Sequence, residues 1–202
     1  MLIKICGITD VSEAEILNKY EVDFAGMVLF FPKSKRNITL SRAREIISVL
    51  GENIKKVAVV VSPTVEQIEE IQKAPFDYVQ IHGEMTEQVL DVITLPVLKA
   101  FNVSDMGRYK EYHDNDKIKG YVFDAVEAGS GKCFDWSLVN DIPRDEKLFI
   151  LAGGLKPENV SEAIKYVKPD GVDVSSGVEN ENGKGKNEDK IRKFVNAVKD
   201  YA

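Results

Sequence analysis

The strongest constraint on the fold is a regular alternation of short apolar runs with segments of helical periodicity. Eight runs rich in Val, Ile, Leu and Phe begin on average about 24 residues apart, which leaves room for a loop and a helix after each run. The runs cover residues 2–6, 24–30, 56–61, 78–81, 97–100, 121–123, 148–151 and 171–174. Such alternation of strand and helix units is typical of an α/β fold with a parallel sheet.

The segments between the runs carry helical signals. Apolar residues recur at the i, i+3, i+4, i+7 spacing of one helical face in residues 160–167 and again in 191–198. Asp10 with Glu13 has the spacing of a capping box at a helix start. The segment 104–116 is polar and contains a glycine, so it is predicted to be the weakest helix.

Eight units favour a single (β/α)8 barrel, also called a TIM barrel, with a weak or eroded fifth helix. The alternative is a doubly wound open sheet, which usually has about five or six strands. The length of 202 residues lies near the lower limit for a barrel of this kind and requires short loops. No break in composition marks a linker, so residues 1–202 are expected to form one domain.

Composition excludes several classes of protein. The chain has 27 basic and 33 acidic residues, a net charge of −6, which argues against a general nucleic-acid binder. No apolar segment approaches the ~18 residues of a membrane helix, and the N-terminus does not resemble a signal peptide, so no membrane contact and a cytoplasmic location are expected. The two cysteines and two histidines form no metal-ligand pattern, so no metal is predicted.

Polar residues follow several of the predicted strands. Active sites of (β/α)8 barrels lie at the carboxyl ends of the strands, and alternation along a strand decides which side chains face inward. If Ile3 and Ile5 face the helices, Lys4 and Cys6 face the barrel interior. The same alternation sends further polar side chains to this rim, namely Gln80, His82, Asp124 and Asp173.

A phosphate site is predicted from the last two units. Gly153 and Gly154 follow the seventh run, and Ser176 and Gly177 follow the eighth run, where a short helix is expected to begin. The loops after strands seven and eight form the recurrent phosphate site of this fold, because glycines let backbone N–H groups approach the phosphate and a helix N-terminus favours its charge.

Structural interpretations stay open for these residues. A cysteine such as Cys6 is often a small buried hydrophobe, although a charge on Lys4 would favour its thiolate. Gln80 and His82 can form an ordinary buried hydrogen-bonded pair. The basic run around Arg36 can be a solvated loop, although its charge suits an anionic substrate.

Taken together, the motifs resemble those of the phosphoribosylanthranilate isomerase family of tryptophan biosynthesis, from one end of the chain to the other. Seven motifs in the same order carry the resemblance. They are KICGIT at 4–9, FPKSKR at 31–36, VQIHG at 79–83, FDA at 123–125 with GSGK at 129–132, FDW at 134–136, LAGGL at 151–155 and DVSSGVE at 173–179.

The resemblance implies a reaction and its participants. The family rearranges an aminoaldose, N-(5-phosphoribosyl)anthranilate, into the corresponding aminoketose by general acid–base catalysis, without cofactor or metal. It implies that Asp124 is the acid and Cys6 the base. It also implies that Arg36 holds the anthranilate end and that Asp173 contacts the anthranilate amino group.

Other matched positions have less definite roles. The resemblance assigns the phosphate to Gly153, Gly154, Ser176 and Gly177, whereas Lys4, Gln80 and His82 match motifs without an assigned role. We expect a small-molecule substrate and either a monomer or a homodimer. Residues 124–134 are a candidate for a loop that closes over the substrate, and the polar stretch 179–190 is predicted to be a mobile surface loop.

Two other functions remain possible from the sequence. A related phosphosugar isomerase performs the same rearrangement, but the family pattern there has two aspartates, whereas the first strand here ends in Cys6. A non-catalytic phosphate-binding barrel would retain the glycine loops without a reason to retain Cys6, Asp124 and Arg36. A metal-dependent epimerase would need several histidines at the rim, where only His82 is expected.

Overall fold

Strands and helices alternate along residues 1–124 and 135–201, the part of the chain that our computed structural model describes. The strands are β1 (Leu2–Cys6), β2 (Phe24–Leu29), β3 (Asn37–Ile38), β4 (Lys55–Val61), β5 (Tyr78–His82), β6 (Val97–Asn102), β7 (Ile118–Asp124), β8 (Leu148–Leu151) and β9 (Gly171–Val174). The α-helices are α1 (Val11–Leu17), α2 (Leu40–Ile47), α3 (Val65–Gln72), α4 (Glu87–Val92), α5 (Ser137–Asn140), α6 (Val160–Val167) and α7 (Glu188–Lys199).

The parallel sheet closes on itself into an eight-stranded barrel. Each strand pairs with its neighbour in chain order from β4 to β9, β2 pairs with β4, and β1 pairs with both β9 and β2. The two-residue strand β3 adds to the end of β2 at the rim. The prediction of a (β/α)8 barrel is therefore confirmed, and the open-sheet alternative is wrong because the pairing of β1 with both β9 and β2 closes the sheet.

Two apolar cores lie on the two faces of the barrel wall. The larger core fills the space between the strands and the outer helices and includes Ile3 and Ile5. The smaller core fills the barrel interior and is made of Phe24, Val57, Val59, Leu98, Ala100, Val122, Ile150 and Ala152. The predicted orientation of β1 is confirmed, since the isoleucines face the helices and Lys4 is buried on the opposite face.

Helix starts follow the predicted local chemistry. Asp10 caps α1 and forms a capping box with Glu13, whose carboxylate accepts from the Asp10 backbone N–H. In place of a fifth barrel helix, a 3-10 helix spans Val103–Glu111 and includes Gly107, which confirms the weak element predicted there. The amphipathic segments 160–167 and 191–198 form α6 and most of α7.

The prediction that residues 179–190 form a surface loop is wrong for Glu179 and Lys186, although Glu181, Asn182 and Lys184 of the same stretch are exposed. Glu179 and Lys186 of this stretch are buried and joined by an antiparallel bridge. The Glu13 carboxylate accepts from the Lys186 backbone N–H at 2.7 Å, which ties the stretch to the start of α1. The polar composition is compatible with burial because the charged groups satisfy one another.

Within the described ranges, no helix combines the length and the apolarity that crossing a membrane requires.

Candidate active site

A cavity of about 580 Å³ opens at the carboxyl ends of the strands, the rim at which the sequence places its polar residues. Residues from both halves of the barrel line it. Of the predicted site residues, it is lined by Cys6, Arg36, Gln80, His82, Asp124, Gly153, Gly154, Asp173 and Ser176. Its size is suitable for a small organic substrate, for which pockets of about 300–1,000 Å³ are usual.

Lys4 and Asp173 form an ion pair beneath this cavity. Their Nζ and Oδ2 atoms are 2.7 Å apart, and both side chains are buried. Burial lowers the pKa of Lys4, but its interactions with Asp173 and Cys6 outweigh burial and raise the pKa, so the ammonium stays charged. The other carboxylate oxygen of Asp173, Oδ1, is buried without a hydrogen-bond partner among the described residues.

The Cys6 thiol lies beside the Lys4 ammonium, opposite Gly26 of the neighbouring strand. A Cβ at Gly26 would lie 2.8 Å from Cys6 Sγ and 3.1 Å from Lys4 Nζ, so both groups use the space that this glycine leaves. Burial raises the pKa of Cys6 above its ordinary value, and the charge of Lys4 opposes that shift without cancelling it. Lys4 therefore favours the thiolate, as predicted, but burial keeps Cys6 a thiol at neutral pH.

Gln80 and His82 form a hydrogen-bonded pair, which is one of the interpretations that the sequence allowed. Their Nε2 atoms are 2.8 Å apart. Because an amide nitrogen can only donate, His82 Nε2 accepts. Burial, together with the charges of Lys4 and Lys99, lowers the pKa of His82 to about 3, so the ring is neutral. Gln80 Oε1 is buried without a hydrogen-bond partner in the part of the chain described.

Arg36 is held by Glu179 and is not part of a solvated loop. Arg36 Nε donates to Glu179 Oε1 at 2.5 Å, and Lys35 Nζ donates to Glu179 Oε2 at 2.8 Å. Burial raises the pKa of Glu179, but the hydrogen bonds from Arg36 and Lys35 outweigh it, so the pKa is lowered and the carboxylate is charged. Arg36 Nη2 remains buried and unpaired within residues 1–124 and 135–201.

The two glycine loops follow the neighbouring strands β8 and β9 and line the cavity with Gly153, Gly154 and Ser176. Gly153 and Gly154 have φ angles of +83° and +66°, a conformation that favours glycine. A short 3-10 helix spans Ser176–Val178, as predicted. Gly177 is absent from the described residues that line the cavity; a Cβ there would lie 2.0 Å from the Leu155 carbonyl oxygen, so this glycine packs the two loops together.

Asp124 is the last residue of β7, three strands from β1 by way of β9 and β8, and lines the same cavity. The remainder of the predicted closing loop, including Gly129, Gly131 and Cys133, lies outside the described residues. In the described ranges, no group of three His, Cys, Asp or Glu side chains is placed to hold a metal ion.

Sequence reasoning missed three polar residues of the site. Asn102 ends β6, lines the cavity and has a buried Oδ1 with no hydrogen-bond partner among the residues described. Lys186 is buried and donates to the carbonyl and the hydroxyl of Ser175. Applying the strand-end rule to the fifth run would have found Asn102, whereas no local signal marks Lys186 or Glu179 as buried.

Comparison with known proteins agrees with this arrangement. The family model described as N-(5'-phosphoribosyl)anthranilate (PRA) isomerase matches residues 3–197. The chain belongs to this family. The N-(5'-phosphoribosyl)anthranilate isomerase of Bacillus cereus is 40% identical over 202 residues, covering 98% of each chain.

Solved structures of the PRA isomerase family share the fold. One is the structure of mutually generated monomers of the dimeric enzyme from Thermotoga maritima. It matches this chain with a TM-score of 0.85 and 35% identity, and 99% of each chain is covered. Another isomerase of this family is in complex with reduced 1-(o-carboxyphenylamino)-1-deoxyribulose 5-phosphate; its TM-score is 0.83, again at 35% identity and 99% coverage of each chain. Family membership thus accounts for both the barrel and the motifs around its cavity.

Proposed function

We propose that this chain catalyses the Amadori rearrangement of N-(5-phosphoribosyl)anthranilate to 1-(2-carboxyphenylamino)-1-deoxyribulose 5-phosphate in tryptophan biosynthesis. The observation that carries the proposal is that Cys6, Asp124, Arg36 and Asp173 border one cavity, together with the glycine loops. A non-catalytic phosphate-binding barrel would need the loops alone. Family membership supports the same substrate and reaction.

The reaction needs an acid and a base on two sides of the sugar. Asp124 donates a proton to the furanose ring oxygen, which opens the ring to a Schiff base between C1 and the anthranilate nitrogen. Cys6 then removes the proton from C2, giving an enolamine that tautomerises to the ketone. Protons are moved but no electrons leave the substrate, so the rearrangement requires no external oxidant or reductant.

The reaction requires particular protonation states of the two proton-transfer groups. The reactive form carries a proton on Asp124 and none on Cys6, although burial favours the Cys6 thiol. The Lys4 ammonium beside the sulfur stabilises the thiolate when it forms. General acid and general base catalysis each contribute about 10²–10⁴-fold to such a step.

Both ends of the substrate find complementary groups. The unpaired Nη2 of Arg36 is suited to the anthranilate carboxylate, and the unpaired Oδ1 of Asp173 is suited to accept from the anthranilate N–H. Gly153, Gly154 and Ser176 would bind the phosphate through backbone N–H groups, while Gly177 keeps their loops in contact.

The test is a turnover assay. The substrate is generated in situ from anthranilate and phosphoribosyl pyrophosphate by the preceding transferase, and the anthranilate-type fluorescence is followed. Fast loss of fluorescence that depends on this chain would support the proposal. Lack of turnover by folded protein would contradict it and direct attention to the related phosphosugar isomerase reaction. A cytoplasmic location, and the choice between monomer and homodimer, remain predictions.

A further inference from the structure

The side chain of Arg36 is fixed by a residue that lies far away in sequence. Glu179 follows β9, 143 positions later, and its Oε1 accepts from Arg36 Nε at 2.5 Å. The side chains are only 12% and 7% exposed, so the pair lies away from bulk water. One N–H of the guanidinium is thereby used, whereas the buried Nη2 has no partner among the described residues.

Glu179 is also held from its other sides. Its Oε2 accepts from Lys35 Nζ at 2.8 Å, and Lys186 Nζ lies 3.5 Å from its Oε1. Lys186 is fixed in turn by hydrogen bonds to the Ser175 carbonyl and hydroxyl. Because both oxygens are engaged by cations, Glu179 does not form the two-point pair with Arg36 that would occupy the Nη edge.

A close backbone approach completes the placement of Arg36. Gly7 has a φ of +77°, and a Cβ there would lie 2.4 Å from Arg36 Cδ, so the arginine side chain crosses directly over this glycine. Gly7 follows Cys6, which ties the guanidinium to the β1 end of the cavity. The stem is confined by Gly7 and the Nε by Glu179, which leaves the Nη groups as the free end of a rigid cation.

We propose that Glu179 is a specificity-determining positioning residue, which aims the Nη edge of Arg36 at the carboxylate of an arylamine substrate. This inference rests on the proposed function and assigns to Glu179 the preference for anthranilate over an amine without the carboxylate. A substrate lacking that group leaves a buried guanidinium edge unpaired. When an analogue lacks the group that pairs with a buried polar side chain, its kcat/KM is lower by about 10²-fold or more.

The experiment compares two substrates that differ in the carboxylate alone, N-(5-phosphoribosyl)anthranilate and N-(5-phosphoribosyl)aniline. Both are followed by liquid chromatography, and the ratio of their kcat/KM values measures carboxylate recognition. In Glu179→Gln we expect this ratio to fall at least tenfold, mainly through a higher KM for the anthranilate compound. Glu179→Asp, which keeps the charge, should retain part of the ratio.

Glu181→Gln is the matched control from the same stretch. Its side chain is 91% exposed and pairs with Lys190, so its removal should leave the ratio unchanged. A second control tests whether Glu179 acts through Arg36. In an Arg36→Met background the ratio should already be low, and adding Glu179→Gln should lower it no further.

The outcomes separate this inference from the proposed function. If the wild-type protein fails to turn over the anthranilate compound, the proposed function is wrong and the inference fails with it. If the wild type is active but Glu179→Gln slows both substrates equally, the residue is merely structural and only the inference is overturned. A further fall of the ratio in the Arg36→Met background would also overturn it. Should Glu179→Gln not fold, as judged by thermal unfolding, the same comparisons are made with Glu179→Asp.

Discussion

Lys4 and Asp173 are directly paired in register across the seam where the first barrel strand meets the last. Their Cα atoms are partners in the β1–β9 pairing, and Lys4 Nζ lies 2.7 Å from Asp173 Oδ2 inside the barrel. The closure of the barrel therefore brings Asp173 to Lys4 and keeps the ammonium beside the Cys6 thiol charged. The same ion pair thus joins the two strands of the seam and places a positive charge beside the thiol.

Replacement of Lys4 by methionine is expected to affect both properties. The Asp173 carboxylate would be left buried and unpaired, which costs about 3–5 kcal/mol of unfolding free energy. The pKa of Cys6, already raised by burial, would rise further because Lys4 no longer lowers it. The thiolate would therefore form at higher pH. Because the thiolate is the proposed base, the increase of kcat/KM with pH should shift to higher pH as well.

Urea unfolding measures the first effect of Lys4→Met, and the second is read from the rate of Cys6 alkylation by iodoacetamide against pH, followed by mass spectrometry. The double variant with Asp173→Asn should recover stability, since no carboxylate remains unpaired. An alkylation profile identical to that of the wild type would show that Lys4 does not influence the thiol.

Loss of either proposed proton-transfer group is expected to abolish most turnover. Cys6→Ala and Asp124→Asn should each lower kcat by at least about 10²–10⁴-fold, the usual contribution of a general acid or base. Steady-state kinetics with the in situ substrate measures the loss. Asp141→Asn, at an exposed aspartate directly after α5, is the matched control and should keep wild-type rates. A folded variant with nearly full activity removes that residue from the mechanism.

The partly buried His82 ring predicts a specific dependence of stability on pH. Its pKa falls from an ordinary value of 6.5 to about 3 on folding. Between these values the unfolded chain binds a proton that the folded chain does not. The unfolding free energy therefore does not depend on this ring above pH 6.5. As the pH falls from 6.5 towards 3, the ring lowers the unfolding free energy by about 1.4 kcal/mol per pH unit.

Urea unfolding between about pH 4.5 and 7 tests this contribution, with the wild type compared against His82→Gln. The variant should show a flatter decline of unfolding free energy on acidification. The other histidine provides the control, since the His113 side chain is 49% exposed and His113→Gln should decline as the wild type does. Parallel curves for His82→Gln and the wild type would argue against a neutral ring in the folded protein at these pH values.

Two glycine-to-alanine substitutions should have opposite results. Gly177→Ala places a Cβ 2.0 Å from the Leu155 carbonyl oxygen, so we expect a loss of about 1–3 kcal/mol and weaker stabilisation by inorganic phosphate. Gly107→Ala meets no described atom within 4 Å and restricts the unfolded chain, so its stability should stay the same or rise by less than about 1 kcal/mol. Thermal unfolding with and without phosphate measures the stability of both variants. A midpoint of Gly177→Ala equal to that of the wild type would refute the packing role of Gly177.

Local patterns predicted the barrel wall because a strand repeats every two residues. The alternation of Ile3 and Ile5 with Lys4 and Cys6 assigned both faces of β1 correctly. Boundaries were less accurate: β7 begins at Ile118, three residues before the predicted run, because the exposed Lys119 interrupts the apolar pattern. Backbone hydrogen bonds to neighbouring strands extend an element past the apolar residues that reveal it.

Patterns among neighbouring residues were sufficient to predict the repeated units, the inward polar faces, the glycine loops and the family. Those depend on spacing and on local conformation, which neighbours in the chain decide. Only the folded chain shows that burial outweighs Lys4 in setting the protonation of Cys6. It also shows that Glu179 and Lys186, in a polar stretch predicted to be a surface loop, are buried against Arg36 and Ser175. Those outcomes depend on desolvation and on charges that folding brings together from opposite ends of the chain. Neither can be predicted from local sequence patterns, because both arise only when distant segments pack against each other.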